Sequence, residues 1–430
     1  MIRSERSPEF RVPLRYFLAG LAAWLLLAAG TPLLAGHLVA GYDDPQVFAL
    51  THLAVLGWVT MTIMGALYQL LPVALQATIS SPRLSRWNFW VYLAGVGGFV
   101  PSFYFGWTIG IATFGTLAVG GLIHFAVNLL RSFGSVRAWH PMAAYVLCGL
   151  IWLVVVMGFG LTWALDWQFN WFVISPSMLA AHVQVGLAGW LGCTFMGVSF
   201  KLMELFALAH RRSWRSAYVN LALWNAGLVG LVVSLLLWPS SRAVTAFAAV
   251  LGVSAAVFAL DLWRMWVSRR RRAISLEQAH VAVSLLSLLL ASSLGLLMAS
   301  EARLDPNWVV AFGYAAIVGC FGFAIVGKYH KIIPFLTWLN RFAGKGGGPA
   351  PLLKDIVDVR LGWAGLVLLV IGYCGAEVGL LDAQVWLVAV FGLVYLAGAL
   401  LDAATLGLAL LPGRAFRRSA GRSGTLTTRA

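Results

Sequence analysis

The chain has 430 residues, of which 61% are hydrophobic and 10% are charged. Soluble globular domains carry about 25% charged residues, so this composition excludes an ordinary soluble fold and predicts a polytopic protein of the lipid bilayer. The formal net charge of +15 would suggest a nucleic-acid partner in a soluble protein. Here the Lys and Arg residues separate apolar runs, so no nucleic-acid partner is expected.

Apolar runs long enough to span a bilayer, roughly 20 residues each, recur along the whole sequence. They predict an all-α fold with twelve transmembrane helices in a single transmembrane domain, 1–430. The predicted helices are 14–37, 47–73, 88–106, 108–130, 142–165, 174–205, 217–238, 243–267, 278–300, 308–337, 361–380 and 384–411.

The basic residues predict the orientation of these helices. With the N-terminus in the cytoplasm, every Lys and Arg except Arg242 and Arg303 falls on the cytoplasmic side, as the positive-inside rule requires. Both termini are therefore expected in the cytoplasm. The basic segment 412–430 is predicted to be a disordered cytoplasmic tail.

An internal repeat organises the sequence around the second helix, in the stretch from His52 to Pro72. Shifting this stretch by 132 residues superposes it on the sixth helix, and shifting it by 262 residues superposes it on the tenth. The shifts align Gly57 with Gly189 and Gly319, Gly65 with Gly197 and Gly327, and Trp58 with Trp190. The repeat predicts three similar four-helix units, at about 14–131, 142–267 and 278–411.

Two histidines on the repeated helices are the first candidate site. His52 lies in the second helix and His182 in the sixth, both in the outer half of helices that run inward. Imidazole is a common ligand of haem iron and of copper, so both residues are candidate cofactor and metal ligands. The alternative is a pair of buried neutral histidines that are hydrogen-bonded to carbonyl groups. The tenth helix has Tyr314 at the position of His52.

Ionisable residues in the last helix of each unit are the second candidate site. His124, Asp261 and Asp402 occupy roughly corresponding places, and an ionisable group at such depth is costly and often functional. They are candidates for a proton relay or for structural hydrogen bonds, and Asp261 can also pair with Arg264.

A third group of ionisable residues falls near the cytoplasmic ends of the helices. It contains His140, Lys201, Glu204, Glu277, His280, Lys328, His330 and Lys331. We expect a solvated, charge-paired face here, and a proton entry point is the alternative.

Three fragments carry a family resemblance: HLAVLGW from His52, HVQVGLAGW from His182 and KIIPFLTW from Lys331. Together with the twelve helices and the threefold repeat, they resemble subunit I of the haem–copper oxidase superfamily. The likeness is greatest to divergent members near the cbb-type cytochrome c oxidase and nitric oxide reductase branch. It implies a bacterial inner (plasma) membrane protein in which His52 is a ligand of haem b and His182 stands at a copper-ligand position.

The sequence also departs from that family. Helix seven lacks the two adjacent histidines of the copper site, and helix ten has Phe312, Gly313 and Tyr314 where two histidines are expected. The resemblance therefore implies haem or copper binding in respiratory or nitric-oxide-related electron transfer, without complete terminal oxidase activity. A respiratory partner subunit or a cytochrome c-type donor would supply electrons. The alternative is a metal-free transporter or assembly factor on the same scaffold.

Overall fold

The computed structural model describes residues 11–209, 213–269, 273–301, 305–341 and 356–410. Twelve long helices run through these ranges. In chain order they are α1 Arg11–Leu33, α2 Pro45–Ala74, α3 Pro82–Tyr104, α4 Thr108–Phe133, α5 Pro141–Phe169, α6 Pro176–Ala207, α7 Arg215–Leu237, α8 Arg242–Val267, α9 Leu276–Glu301, α10 Pro306–Arg341, α11 Val359–Leu381 and α12 Val385–Leu410. The predicted tail, 412–430, lies outside the described residues.

Eleven of the twelve helices are long and apolar enough to cross a membrane, which confirms the prediction of a polytopic α-helical membrane protein. The exception is α3, whose first turns contain Arg83, Arg86 and Asn88. This helix has 23 residues and packs closely on α4, since a Cβ on Gly95 would lie 2.4 Å from the backbone nitrogen of Ala118.

Local sequence explains where several helices begin. Proline occupies the first position of α2, α3, α5 and α6, where its missing N–H costs no hydrogen bond. Asp44, Ser81 and Ser175 cap three of these helices by accepting hydrogen bonds from backbone N–H groups. The first helix ends at Leu33, earlier than expected, and a short helix follows at Ala35–Ala40.

Consecutive helices pack antiparallel, and the last helix returns to the first. On α1 and α12, the indole nitrogen of Trp24 donates a hydrogen bond to the Tyr395 hydroxyl at 3.0 Å. Nearer the other end of the same pair, Gly392 lies against Pro32. The bundle is therefore closed by contact between its two terminal helices.

The centre of the bundle is formed by α2, α6 and α10. Each contains an eight-residue π-helical segment: Leu53–Thr60, Val185–Gly192 and Ala315–Gly322. The second and third segments lie 132 and 262 residues after the first, which are the offsets of the sequence repeat.

The π-helical segments also make the contacts between the central helices. The indole of Trp190 donates a hydrogen bond to the Thr60 hydroxyl at 3.1 Å. A Cβ on Gly322 would lie 2.7 Å from the ring of Trp58. Because π-helical turns insert an extra residue into a helix, these segments change the direction of the side chains that follow them on α2, α6 and α10 relative to a continuous α-helix.

Candidate metal centre

Three ionisable side chains converge inside the bundle from three helices. His280 comes from α9, His330 from α10 and Asp402 from α12, and one ligand atom of each lies within 4.8 Å of the other two. Nε2 of His330 is 3.3 Å from Oδ1 of Asp402, and Nε2 of His280 is 4.0 Å from Oδ2. The three residues are 0%, 9% and 0% exposed. We call them the His–His–Asp cluster.

The hydrogen bond made by His280 prepares it to bind a metal ion. Its Nδ1 lies 2.9 Å from the backbone carbonyl oxygen of Leu276. A carbonyl can only accept, so Nδ1 carries the proton and Nε2, the nitrogen nearer Asp402, keeps its lone pair. Metal-bound histidines commonly show this arrangement, in which the second ring nitrogen donates to a fixed oxygen.

The cluster leaves buried polar atoms without hydrogen-bond partners. These atoms are Nε2 of His280, both ring nitrogens of His330 and both carboxylate oxygens of Asp402. An unpartnered polar group in an apolar interior costs about 1 to 3 kcal/mol or more, and five such atoms meet at one place. An ion bound between the three side chains would satisfy several of them at once.

Glycines on the neighbouring helices make room for the cluster. A Cβ on Gly365 of α11 would lie 2.2 Å from Oδ1 of Asp402, which is far inside van der Waals contact. A Cβ on Gly362 would lie 3.4 Å from Cε1 of His330. A residue larger than glycine at position 365 would therefore take the space of the Asp402 carboxylate, and one at position 362 would contact the ring of His330.

A close contact between a glycine and the Cβ of a residue on the preceding helix occurs three times in the bundle. It shows which positions of the three sets of four helices correspond to one another. We call α1–α4, α5–α8 and α9–α12 the first, second and third helix groups. A Cβ added to the glycine of each pair would meet the Cβ of its partner at 2.6, 2.5 and 2.6 Å for Gly65 with Tyr16, Gly197 with Tyr145, and Gly327 with His280.

The other two members of the cluster also have counterparts in the first two helix groups. The repeat offsets place Tyr68 and Phe200 at the position of His330. On the last two helices of each group, one glycine–phenylalanine contact recurs as Gly98 with Phe114, Gly230 with Phe247, and Gly375 with Phe391. This register places Phe125 and Phe258 at the position of Asp402.

The geometry of the three sites agrees closely. Ring centroids are separated by 5.8 Å for Tyr16–Tyr68, 5.8 Å for Tyr145–Phe200 and 5.7 Å for His280–His330. Where the third group has Asp402 beside His330, the first two have Tyr68–Phe125 at 5.5 Å and Phe200–Phe258 at 5.4 Å. The first two groups thus place aromatic rings at all three positions of the cluster. Packing does not require two imidazoles and a carboxylate, so their presence in the third copy calls for a chemical reason.

An ion pair lies next to the cluster toward the end of the bundle where α1 begins, which we call the N-terminal face. Lys328 contacts the buried carboxylate of Glu277, and its ammonium lies 5.6 Å from the ring of Phe206. Glu277 is one helical turn from His280, and Lys328 is two residues from His330. The ion pair therefore lies within about one helical turn of the cluster along both α9 and α10.

The structure corrects the expectation of a solvated face for His280 and His330, both of which are buried. His280 lies about one turn deeper than Glu277 on α9, whereas His330 is buried although Lys328 and Lys331 flank it on α10. The signal available in the sequence was the repeat itself, because the offsets align His330 with two aromatic residues. Proximity to charged residues was the misleading feature.

The predicted ligands His52 and His182 lie in another part of the molecule. Nδ1 of His52 is 2.8 Å from the carbonyl oxygen of Phe48, whereas Nδ1 of His182 is buried without a hydrogen-bond partner. Among the described residues, His52 and His182 do not form part of a group of three or more possible metal ligands.

The surroundings of His52 do not fit a haem. Its ring stacks on Phe103, with centroids 5.0 Å apart at 17°, and meets Phe99 edge-on at 5.3 Å. At the corresponding place on α10, Tyr314 is buried and stacked on Tyr373 at 5.7 Å. Aromatic side chains therefore pack against the ring of His52, and a tyrosine stands at the corresponding place on α10.

The proposed relay residues do not form one set. His124 is exposed on the surface of α4, and Asp261 accepts a hydrogen bond from the Ser216 hydroxyl at 2.8 Å. Only Asp402 belongs to the His–His–Asp cluster. The register of the last two helices aligns Asp402 with Phe258 and not with Asp261, because Asp261 lies about one turn further along its helix.

Comparison with known proteins adds no activity. No family model matches the chain. An uncharacterized protein of Aquifex aeolicus (strain VF5) is 26% identical to it over 326 residues, which are 74% of this chain and 78% of that protein.

Proposed function

We propose that this chain is a multi-pass membrane protein that binds a divalent first-row transition-metal ion within the bilayer, through His280, His330 and Asp402. The observation that carries the proposal is the comparison of the three helix groups. Two of them fill the corresponding positions with aromatic rings at the same spacing, so the imidazoles and the carboxylate are not needed to hold the fold together.

The chemistry of the donors indicates the ion. Two imidazoles and one carboxylate form the set used by non-haem Fe²⁺ sites with open positions, and a similar set binds Zn²⁺ in hydrolases. Ligands at about 2.0 to 2.2 Å from an ion lie roughly 3 to 3.6 Å from one another, so small rotations of the three side chains would close the site. We propose Fe²⁺ as the resident ion.

The wider setting of the proposal follows the sequence. The three helix groups would be repeats of one four-helix unit on a scaffold similar to subunit I of the haem–copper oxidases. The N-terminal face would be cytoplasmic, in a bacterial inner membrane. A redox-active ion in the cluster would give the protein a place in respiratory or nitric-oxide-related electron transfer, with a cytochrome c-type donor or a partner subunit.

Metal analysis of the purified protein tests the proposal. Protein purified in detergent should contain one equivalent of metal, and Asp402→Asn should lose it, since this change removes the charge at nearly constant volume. A triple variant, His280→Tyr with His330→Phe and Asp402→Phe, copies the second helix group and should remain monodisperse without metal. The double variant His52→Ala with His182→Ala is the matched control and should keep its metal. Equal metal in wild type and in both cluster variants would refute the site.

A metal-free transporter is the second candidate. It is favoured by the direct approach of Nε2 of His330 to Oδ1 of Asp402 at 3.3 Å, since a charged imidazole could pair with the carboxylate without an ion. Wild-type protein that stays free of metal after incubation with Fe²⁺, Zn²⁺ and Cu²⁺ would favour this alternative.

A further inference from the structure

A pocket bounded by arginine and tryptophan side chains opens on the surface of α3, near the N-terminal face. Arg83, Arg86, Trp87 and Trp90 line it, and all four are exposed. Residues at this spacing share one side of a helix. The pocket has a volume of about 400 Å³, which lies within the range of roughly 300 to 1,000 Å³ that small-molecule sites occupy. We call it the Arg–Trp pocket.

The residues of this pocket help to explain the composition of α3. Of the twelve helices in the described ranges, α3 alone falls short of the apolar content expected of a membrane span. Packing inside the bundle does not account for the large side chains of the pocket, because they lie on its outside. Trp87 is 70% exposed and Trp90 is 53% exposed. The reason for these residues therefore has to lie in what the outer side of α3 contacts.

The other two helix groups provide an internal comparison. The register of the glycine–phenylalanine contacts aligns α3 with α7 and α11. It places Arg215 and Arg360 at the position of Arg83, so a basic residue begins all three helices. The remaining positions of the pocket differ between the groups: Arg86 corresponds to Tyr218 and Trp363, Trp87 to Val219 and Ala364, and Trp90 to Ala222 and Val367. One arginine is thus common to the three groups, whereas the combination of a second arginine with two indoles belongs to the first group.

Contacts with α1 hold one wall of the pocket in place. Cζ of Arg15 lies 5.9 Å from the centroid of the Trp90 ring, at the distance of a cation–π contact. The ring of Trp90 also meets Phe89 edge-on at 4.9 Å, and Phe89 meets Tyr16 of α1 at 5.1 Å. The indole of Trp90 is therefore positioned by both helices, and a further cation lies beside it.

The order of the side chains along α3 matches the layers of one leaflet of a bilayer. Because α3 begins at Pro82 on the N-terminal face, Arg83 and Arg86 come before the tryptophans on the way into the membrane. A rise of 1.5 Å per residue separates Arg83 from Trp90 by about 10 Å along the helix axis. The headgroup layer of one leaflet is roughly 5 to 8 Å thick. The guanidinium groups would thus lie at the level of the phosphates, and the indoles at the boundary where tryptophan is enriched.

We infer that the Arg–Trp pocket binds the headgroup of an anionic phospholipid. Arg83 and Arg86 would donate hydrogen bonds to the phosphate oxygens, which the planar guanidinium group can contact in pairs. Trp87 and Trp90 would pack on the glycerol region and the first methylene groups of the acyl chains. Basic pockets at the ends of transmembrane helices recognise anionic headgroups in this way. The arginines favour an anionic lipid over a zwitterionic one, and the indoles favour a lipid over free phosphate.

Native mass spectrometry of the full chain in detergent tests the inference. The titrants are phosphatidylglycerol and phosphatidylcholine with the same acyl chains. Wild type should bind its first phosphatidylglycerol at least about tenfold more tightly than phosphatidylcholine. Arg83→Gln with Arg86→Gln should lose this preference, and Trp87→Leu should weaken the binding of phosphatidylglycerol.

The matched control is Arg215→Gln with Arg360→Gln. It removes the same charge from exposed positions at the starts of α7 and α11, and it should keep the preference for phosphatidylglycerol. Inorganic phosphate at constant ionic strength should not displace the bound lipid.

Three results would overturn the inference. They are equal affinities for the two lipids in wild type, an equal loss of preference in both arginine double variants, and displacement of the lipid by inorganic phosphate, which would assign the pocket to the free anion. If Arg83→Gln with Arg86→Gln does not elute as a folded protein, unchanged affinity for phosphatidylglycerol in Trp87→Leu would overturn it instead.

Discussion

At the scale of single residues, the cluster depends on the small size of a neighbouring residue as well as on its own ligands. Asp402 reaches the two histidines only because Gly365 has no side chain, and the counterparts of Gly365 in the first two helix groups are Asn88 and Asn220. There the asparagines donate hydrogen bonds to Tyr16 and Tyr145, at 3.1 and 3.2 Å. In the third group, His280 and Gly365 stand in place of the tyrosine and the asparagine. The space beside Gly365 holds the carboxylate of Asp402.

Gly365→Ala should therefore impair the site directly. The new Cβ would lie 2.2 Å from Oδ1 of Asp402, so the carboxylate must move, and overpacking of this kind costs about 1 to 3 kcal/mol. We expect metal content to fall and the melting temperature to drop. Gly407→Ala on α12 is the control, because its Cβ would meet nothing within 4 Å. Retention of metal by Gly365→Ala would contradict the assigned role of Asp402.

A pH-dependent contribution to stability is expected at His140, which precedes α5. Burial, together with the nearby Lys201 cation, lowers the pKa of His140 from 6.5 to about 4, against an opposing effect of Glu204. The unfolded chain therefore takes up the proton first as the pH falls. The stabilisation is present above pH 6.5 and is lost toward pH 4.

His140→Asn should test this effect cleanly. Nδ1 of His140 accepts the Met142 backbone N–H at 3.0 Å, and asparagine can cap the helix in the same way. Thermal melts between pH 7 and pH 4.5 should show a smaller loss of stability in the variant than in wild type. A parallel decline in both proteins would show that His140 does not titrate in this range.

At the scale of elements, the repeated π-helical segments are the main determinant of how the three central helices meet. The sequence repeat predicted which positions of the three helices correspond, since its glycines lie within these segments at Gly57, Gly189 and Gly319. It did not identify the π-helical geometry, because an inserted residue leaves the apolar composition of a helix unchanged. The same limit hid the cluster: whether His330 points outward or inward depends on that geometry.

Gly322→Ala should disturb this central contact. The added Cβ would lie 2.7 Å from the fully buried ring of Trp58, and a large ring in a packed core cannot move freely. We expect lower thermal stability by about 1 to 3 kcal/mol. Gly120→Ala, on an open surface of α4, is the matched control, and equal melting temperatures for the two variants would contradict tight packing at the π-helical segments.

At the scale of the whole molecule, the long apolar runs predicted an all-helical membrane protein, because membrane-spanning helices need such runs. Eleven of the twelve predicted spans meet that criterion in the structure. The functional residues were harder to place. His52 and His182 were favoured by their register and by family likeness, yet aromatic rings surround them. The distribution of Lys and Arg predicts which face of the bundle is cytoplasmic. Contacts between helices are the same in either orientation, so this prediction needs a separate experiment.

Cysteine labelling in intact cells tests that orientation. In a cysteine-free background, Ser240→Cys lies between α7 and α8 and should react with a membrane-impermeant maleimide from outside. Gly134→Cys, between α4 and α5, should react only after the membrane is opened. The positive-inside rule gives this result, and the reverse pattern would invert the proposed topology.

The central claim is that two histidines and one carboxylate of the third helix group hold a metal ion. X-ray absorption at the edge of the bound metal tests it most directly, because imidazole rings produce a distinct multiple-scattering pattern. We predict two imidazoles and oxygen ligands at about 2.0 to 2.2 Å, with the imidazole signal weakened in His280→Ala and in His330→Ala and unchanged in His52→Ala. A spectrum without imidazole, or one that changes only with His52 or His182, would contradict the account.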